Sequence, residues 1–217
     1  MDKIEIDRTE QEREELVKQF IKDYWLVAVL AVGGAIGLVY GLEYYKKRQF
    51  LTYNDAAMNL SAVEAALTDN ATETALNSVT AMQQQNDQAK TGFATVATLS
   101  LAKHYFDSKD YKAALAQYDW LIANAPDAAY QQMASIRKAR VLAEMGEVTQ
   151  AVEALSRVES TNFMDEANLL KGDIYLADAQ FEQAISAYES ISDLINPQLV
   201  QQRLDIVNIK KAQADTQ

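Results

Sequence analysis

The chain of 217 residues has one histidine, His104, and no cysteine. The side chains that most often serve as nucleophile, metal ligand or proton shuttle are therefore nearly missing. His104 stands beside Tyr105 without an HExxH or similar spacing and reads as an ordinary partly buried or surface histidine. The one adjacent glycine pair, Gly33 and Gly34, lies inside an apolar run rather than in a phosphate-cradling loop. The carboxylates fall on turns and polar helix faces, where solvation accounts for them. No catalytic residue, cofactor site or metal site is expected, so the chain does not read as an enzyme. What remains is binding, and the elements that position a binding surface come next.

Residues 95–197 repeat themselves, and repeats are identified before folds. Three helical segments align without a gap. Each opens with an aromatic or β-branched residue (Tyr111, Val148, Phe181) followed three residues on by alanine (Ala114, Ala151, Ala184). An apolar residue follows directly (Leu115, Val152, Ile185), then a large one (Tyr118, Leu155, Tyr188), then another apolar one (Leu121, Val158, Ile191). A preceding helix carries a small residue and, three later, a large one: Ala102 and Tyr105, Ala139 and Leu142, Gly172 and Tyr175. The alanines are 37 and 33 residues apart, bracketing the helix–turn–helix unit of about 34 residues that defines the tetratricopeptide repeat. Small residues mark where two antiparallel helices cross closely, and large ones fill the grooves between neighbours. Pro126 and Pro197 follow the first and third units; the second has Thr161, Asn162 and Phe163 there instead. Residues 198–211, with Leu199, Leu204, Ile206, Val207 and Ile209, read as the capping helix such stacks need. A generic helical bundle is the alternative.

In this repeat class the first helices line the concave surface. With units starting at Thr95, Gln132 and Asp165, the inward positions are Val96, Leu99, Lys103, Phe106, Met133, Ile136, Arg140, Leu169 and Leu176. Such a protein-binding groove is largely apolar with two basic groups, suited to an apolar segment or an amphipathic helix of another protein. It lacks the Lys/Asn/Arg arrangement with which some repeats of this class hold a terminal carboxylate. Coverage of the same residues by the domain's own terminal helices is the alternative.

Upstream lies a run of nineteen uncharged residues, 24–42. As a helix it extends roughly 28 Å, close to the hydrocarbon thickness of a bilayer. Tyr24 and Trp25 at one end and Tyr40, Tyr44 and Tyr45 at the other suit the two interfaces. A buried helix of a soluble core is the alternative. The region before the run is acidic and no small-x-small site follows it, so an uncleaved anchor is expected rather than a signal peptide. Gly33, Gly37 and Gly41 fall four apart on one helical face, where another helix could pack closely; glycine is also simply common in such helices. Arg8, Arg13, Lys18 and Lys22 before the run balance Lys46, Lys47 and Arg48 after it, so charge leaves the orientation open.

Residues 1–23 form an acidic tail. Thr9 to Glu12 has the form of a helix capping box, and Leu16, Val17, Phe20 and Tyr24 continue it as an amphipathic helix. This is a partner-binding helix or a lead-in along the membrane surface. Residues 43–94 continue the helix through Phe50, Tyr53, Ala57, Leu60, Val63 and Leu67, ending near Thr68, Asp69 and Asn70. That carries it about 40 Å beyond the bilayer, and a shorter helix at roughly 71–86 follows. The net charge of −11 makes the chain a poor partner for nucleic acid.

The acidic tail, the span running into Val39-Tyr40-Gly41-Leu42-Glu43-Tyr44-Tyr45-Lys46-Lys47-Arg48, and the degenerate repeats at 95–197 together resemble the YfgM family, ancillary subunits of the bacterial SecYEG translocon. The resemblance implies a single-pass inner-membrane protein with a cytoplasmic N-terminus and a periplasmic repeat domain. It implies association with SecYEG and with a membrane-anchored periplasmic chaperone of the PpiD type, assisting exported proteins. It carries no catalytic residues. The expected fold is all-α: one transmembrane helix, then a tetratricopeptide-type solenoid capped by residues 198–217. A homo-oligomeric membrane-anchored scaffold, paired through Gly33, Gly37 and Gly41, is the second reading.

Overall fold

A computed structural model describes residues 2–85, 91–192 and 196–214, with side chains from Arg13 onward, Ala28 excepted. Among the described residues there is no strand, and the helices in order are α1 (Asp2–Thr68), α2 (Thr72–Gln84), α3 (Gly92–Asp107), α4 (Tyr111–Asn124), α5 (Ala128–Glu144), α6 (Val148–Ser156), α7 (Thr161–Ala177), α8 (Phe181–Glu189) and α9 (Pro197–Ala214). They divide into two compact units, Met1–Leu51 and Thr52–Gln217.

In the first unit α1 is already helical at Asp2, upstream of the capping box expected at Thr9 to Glu12, whose side chains lie outside the described ones. Phe20 and Tyr24 stack at 4.8 Å between ring centroids. The apolar side chains of the uncharged run lie open, Leu30 at 66 % and Leu38 at 63 % exposure. That is not the burial a soluble core helix shows. Among the described residues no single helix is long and apolar enough to cross a membrane. The segments Arg13–Val27 and Val29–Thr68, bent by 40°, have the length and apolar composition for a span only together.

The second unit is built on one turn used four times. Asn70, Lys109, Gly146 and Ala179 all have positive φ, at 56°, 64°, 80° and 55°. Each is the residue just past the end of a first helix. In each turn the next residue's N–H reaches back five positions: Ala71 to Ala66 O (2.7 Å), Asp110 to Tyr105 O, Glu147 to Leu142 O and Gln180 to Tyr175 O (each 2.9 Å). The positive-φ residue itself donates three positions back. This pair of bonds is the Schellman closure, which satisfies carbonyls that a helix end leaves orphaned. Only at Gly146 is the left-handed conformation free of a Cβ penalty.

Four residues or so into each second helix lies an alanine with no exposed surface: Ala75, Ala114, Ala151 and Ala184. The last three are the column that defined the repeat. Ala75 extends it, so residues 52–68 of α1 and α2 form a hairpin of the same kind ahead of the three found by pattern. Leu76, Val79 and Met82 continue its columns, but its first helix reverses the small-then-large pair, with Val63 and Ala66 in those places. That reversal, and the 39-residue spacing from Ala75 to Ala114, hid it.

The core runs through the unit as three apolar clusters. The first joins α1, α2, α3, α4 and part of α5, the second α5, α6 and α7, and the third α7, α8 and α9. Asp110 caps α4 and Asp127 caps α5, accepting from Ala113 N (3.2 Å) and Ala129 N (2.8 Å). At the far end α9 closes the third cluster with Val207, which is fully buried, and with half-buried Leu204 and Val200. Of the other apolar residues of this helix, Ile206 is 39 % and Ile209 58 % exposed. Pro197 is the first residue of α9, where its missing N–H leaves nothing unpaired.

Candidate functional site

The first helices α3 and α5 pack on each other, and α5 packs on α7. Between them opens a pocket of about 370 Å³. Its apolar wall is Phe106 from α3 and Ile136 from α5, with Tyr118 of α4 beside them. Its charged wall is Lys103 and Asp107 from α3, Arg137 and Arg140 from α5, and Glu166 from α7. Lys103 and Asp107, one turn apart on α3, form an ion pair. Arg137 lines the pocket with Tyr118, and its charge favours the ionised phenol. Burial pushes the Tyr118 pKa up, against the opposing pull of that guanidinium, so the ring presents a neutral hydroxyl. Arg140 is exposed, and among the described residues no carboxylate lies within ion-pairing distance of it.

Of the nine groove positions predicted from the sequence, Lys103, Phe106, Ile136 and Arg140 converge on this pocket. Leu99 is 9 % exposed and belongs to the first apolar cluster, against which the half-buried Met133 also packs; Val96 is half-buried. Leu169 and Leu176 sit in the cluster that α9 completes. The nine positions thus part: the α7 residues lie in the cluster that α8 and α9 share, and four of the α3–α5 residues line an open, charged pocket. Asp107, Tyr118, Arg137 and Glu166 were not among the expected residues. Glu166 was findable, since it follows Asp165 in the register that Val96 and Met133 occupy after Thr95 and Gln132.

His104 is half-buried, with Nε2 2.9 Å from Thr72 Oγ1, linking α3 to the start of α2. Among the described residues no group of three or more His, Cys, Asp or Glu could hold a metal ion. Gly33, Gly37 and Gly41 are exposed, with no atom within 4 Å of where a Cβ would stand.

Residues 18–210 match the family described as tetratricopeptide repeat-like domain. The chain is also similar to proteins named ancillary SecYEG translocon subunit. It is 26 % identical to that of Aggregatibacter actinomycetemcomitans over 202 residues, covering 91 % of this chain and 98 % of the relative. It is 27 % identical to that of Neisseria gonorrhoeae over 186 residues, covering 83 % and 88 %. To that of Escherichia coli it is 21 % identical over 187 residues, covering 86 % and 89 %. No solved structure matches the chain.

Proposed function

The chain belongs to the tetratricopeptide repeat-like domain family, and from that premise we propose that it is a non-catalytic ancillary subunit of the SecYEG translocon. The observation that carries this reading is the extent of the likeness. At 91 % of this chain and 98 % of a named relative, it takes in far more than a repeat domain shared between unrelated proteins.

In this reading residues 24–42 cross the bacterial inner membrane. The absence of charge from that run and the openness of its apolar side chains support it. The acidic tail then lies in the cytoplasm and the repeat unit in the periplasm. There it works with a membrane-anchored chaperone of the PpiD type to assist exported proteins. Gly33, Gly37 and Gly41 give the span a face on which a helix of another membrane protein packs. The pocket at Lys103, Phe106, Ile136 and Arg140 holds an exported segment.

The test is affinity capture of the full chain from solubilised bacterial membranes, with protease accessibility of the repeat unit in spheroplasts. Recovery of SecY, SecE and SecG, with the repeat unit cut from outside, agrees with the reading. Recovery of none of them, or cleavage only after the membrane is opened, contradicts it.

A further inference from the structure

The pocket between α3, α5 and α7 has a charge pattern unlike the rest of the chain. The protein carries −11, yet this pocket gathers Lys103, Arg137 and Arg140 against Asp107 and Glu166. The cations are not equivalent. Lys103 is occupied by Asp107, and Arg137 is half-buried in the lining with Tyr118. Arg140 is the exposed one of the two arginines, with no ion-pair partner among the described residues, and it stands one turn from Ile136 on the same helix. An apolar wall thus meets one available guanidinium, with a second close by.

We propose that this pocket binds an internal acidic side chain, Asp or Glu, of an extended segment of another protein, with an adjacent large apolar residue against Phe106 and Ile136. The proposal rests on the binding role given above to the repeat unit and names the chemistry of what it holds. The volume of about 370 Å³ fits this: it accepts a large side chain and part of its neighbour and is at the lower end of ligand pockets. A carboxylate suits a planar guanidinium that can donate two parallel bonds. Phosphate fits worse, because its second negative charge would face Asp107 and Glu166 as well as the arginines. The same two carboxylates oppose a strongly acidic stretch, so one acidic residue beside an apolar one is the preferred pattern.

Fluorescence anisotropy on the full chain in mild detergent tests this, with two labelled peptides differing only in Glu or Gln beside a central phenylalanine. The Glu peptide should bind about fivefold more tightly, the size of one partly exposed charge pair. Raising salt should erase the difference. Arg140→Gln should abolish the preference for Glu. Glu166→Gln should strengthen binding of the Glu peptide, an outcome that damage to the fold cannot produce. Equal binding of both peptides, a preference that survives Arg140→Gln, or displacement by equimolar inorganic phosphate overturns the proposal. Capture of SecYEG by Arg140→Gln chain from membranes reports separately on the translocon role, which does not depend on this pocket's preference.

Discussion

The ring of Tyr188 lies where a side chain on residue 172 would have to be. A Cβ on Gly172 would stand 2.6 Å from Tyr188 Cδ1 and 2.7 Å from Cζ, and the ring has no exposed surface into which to move. Tyr188 Oη donates to Asp173 Oδ1 at 2.6 Å, and Arg203 Nε of α9 is 3.4 Å from the same oxygen. The Arg203 contact is an ion pair rather than a hydrogen bond, since its Nε has no hydrogen-bond partner. One glycine thus lets α8 approach α7, and the tyrosine it admits ties both to the last helix.

Gly172→Ala is expected to lower the stability of the repeat unit by about 2 kcal/mol through overpacking. The roughly 1 kcal/mol by which alanine is the better helix former offsets this only in part. Urea unfolding followed by circular dichroism measures it. An unchanged or raised midpoint would show that the ring gives way.

The turn residues offer the opposite experiment. Lys109 and Ala179 hold left-handed backbone at φ 64° and 55° with a Cβ present. Replacing either with glycine should stabilise by about 0.5–1 kcal/mol, and Gly146→Ala, at φ 80°, should destabilise by about 1 kcal/mol. Thermal melts of the three variants check both signs together.

Alkaline pH should loosen the unit. Burial first, then the Asp173 hydrogen bond and charge, raise the Tyr188 pKa well above its ordinary value of 10.0; burial also raises Tyr118 and Tyr105. The folded state holds these protons more tightly than the unfolded chain. Their contribution is complete below about pH 10 and is lost as pH rises through the folded-state values. Tyr188→Phe should therefore melt lower at pH 8 but lose less than the parent between pH 9 and 11. Parallel slopes would contradict the assignment.

Lys211 of α9 pairs with Glu182 at 2.9 Å and, chiefly through that hydrogen bond, holds the Glu182 pKa down. This contribution is present above the ordinary carboxylate range and disappears as pH falls through the lowered value. Glu182→Gln should remove a small part of the stability difference between pH 6 and pH 3, read from the same melts.

The repeats were legible because their signal is chemical: a buried alanine recurs where two helices cross, and nothing larger fits. Ala75 carries the same signal, but Val63 and Ala66 exchange sizes on the facing helix, so the first hairpin stayed hidden inside a long helix. The pocket was half legible. Lys103, Phe106, Ile136 and Arg140 follow from helical phase alone. Whether Leu169 and Leu176 face a ligand or α9 depends on where a helix some thirty residues later returns, which phase does not encode. Tyr118 and Arg137 were out of reach for a related reason: their meeting across two helices is a tertiary contact between residues 19 apart.

The central claim is that the repeat unit works beside the translocon. The most direct measurement is photo-crosslinking in intact bacteria, with a photoreactive amino acid in place of Phe106 while a secretory protein is stalled in export. The account expects adducts with the stalled chain, or with a translocon subunit next to it. Adducts that form equally without an export substrate, or none with either the stalled chain or the translocon, would contradict it.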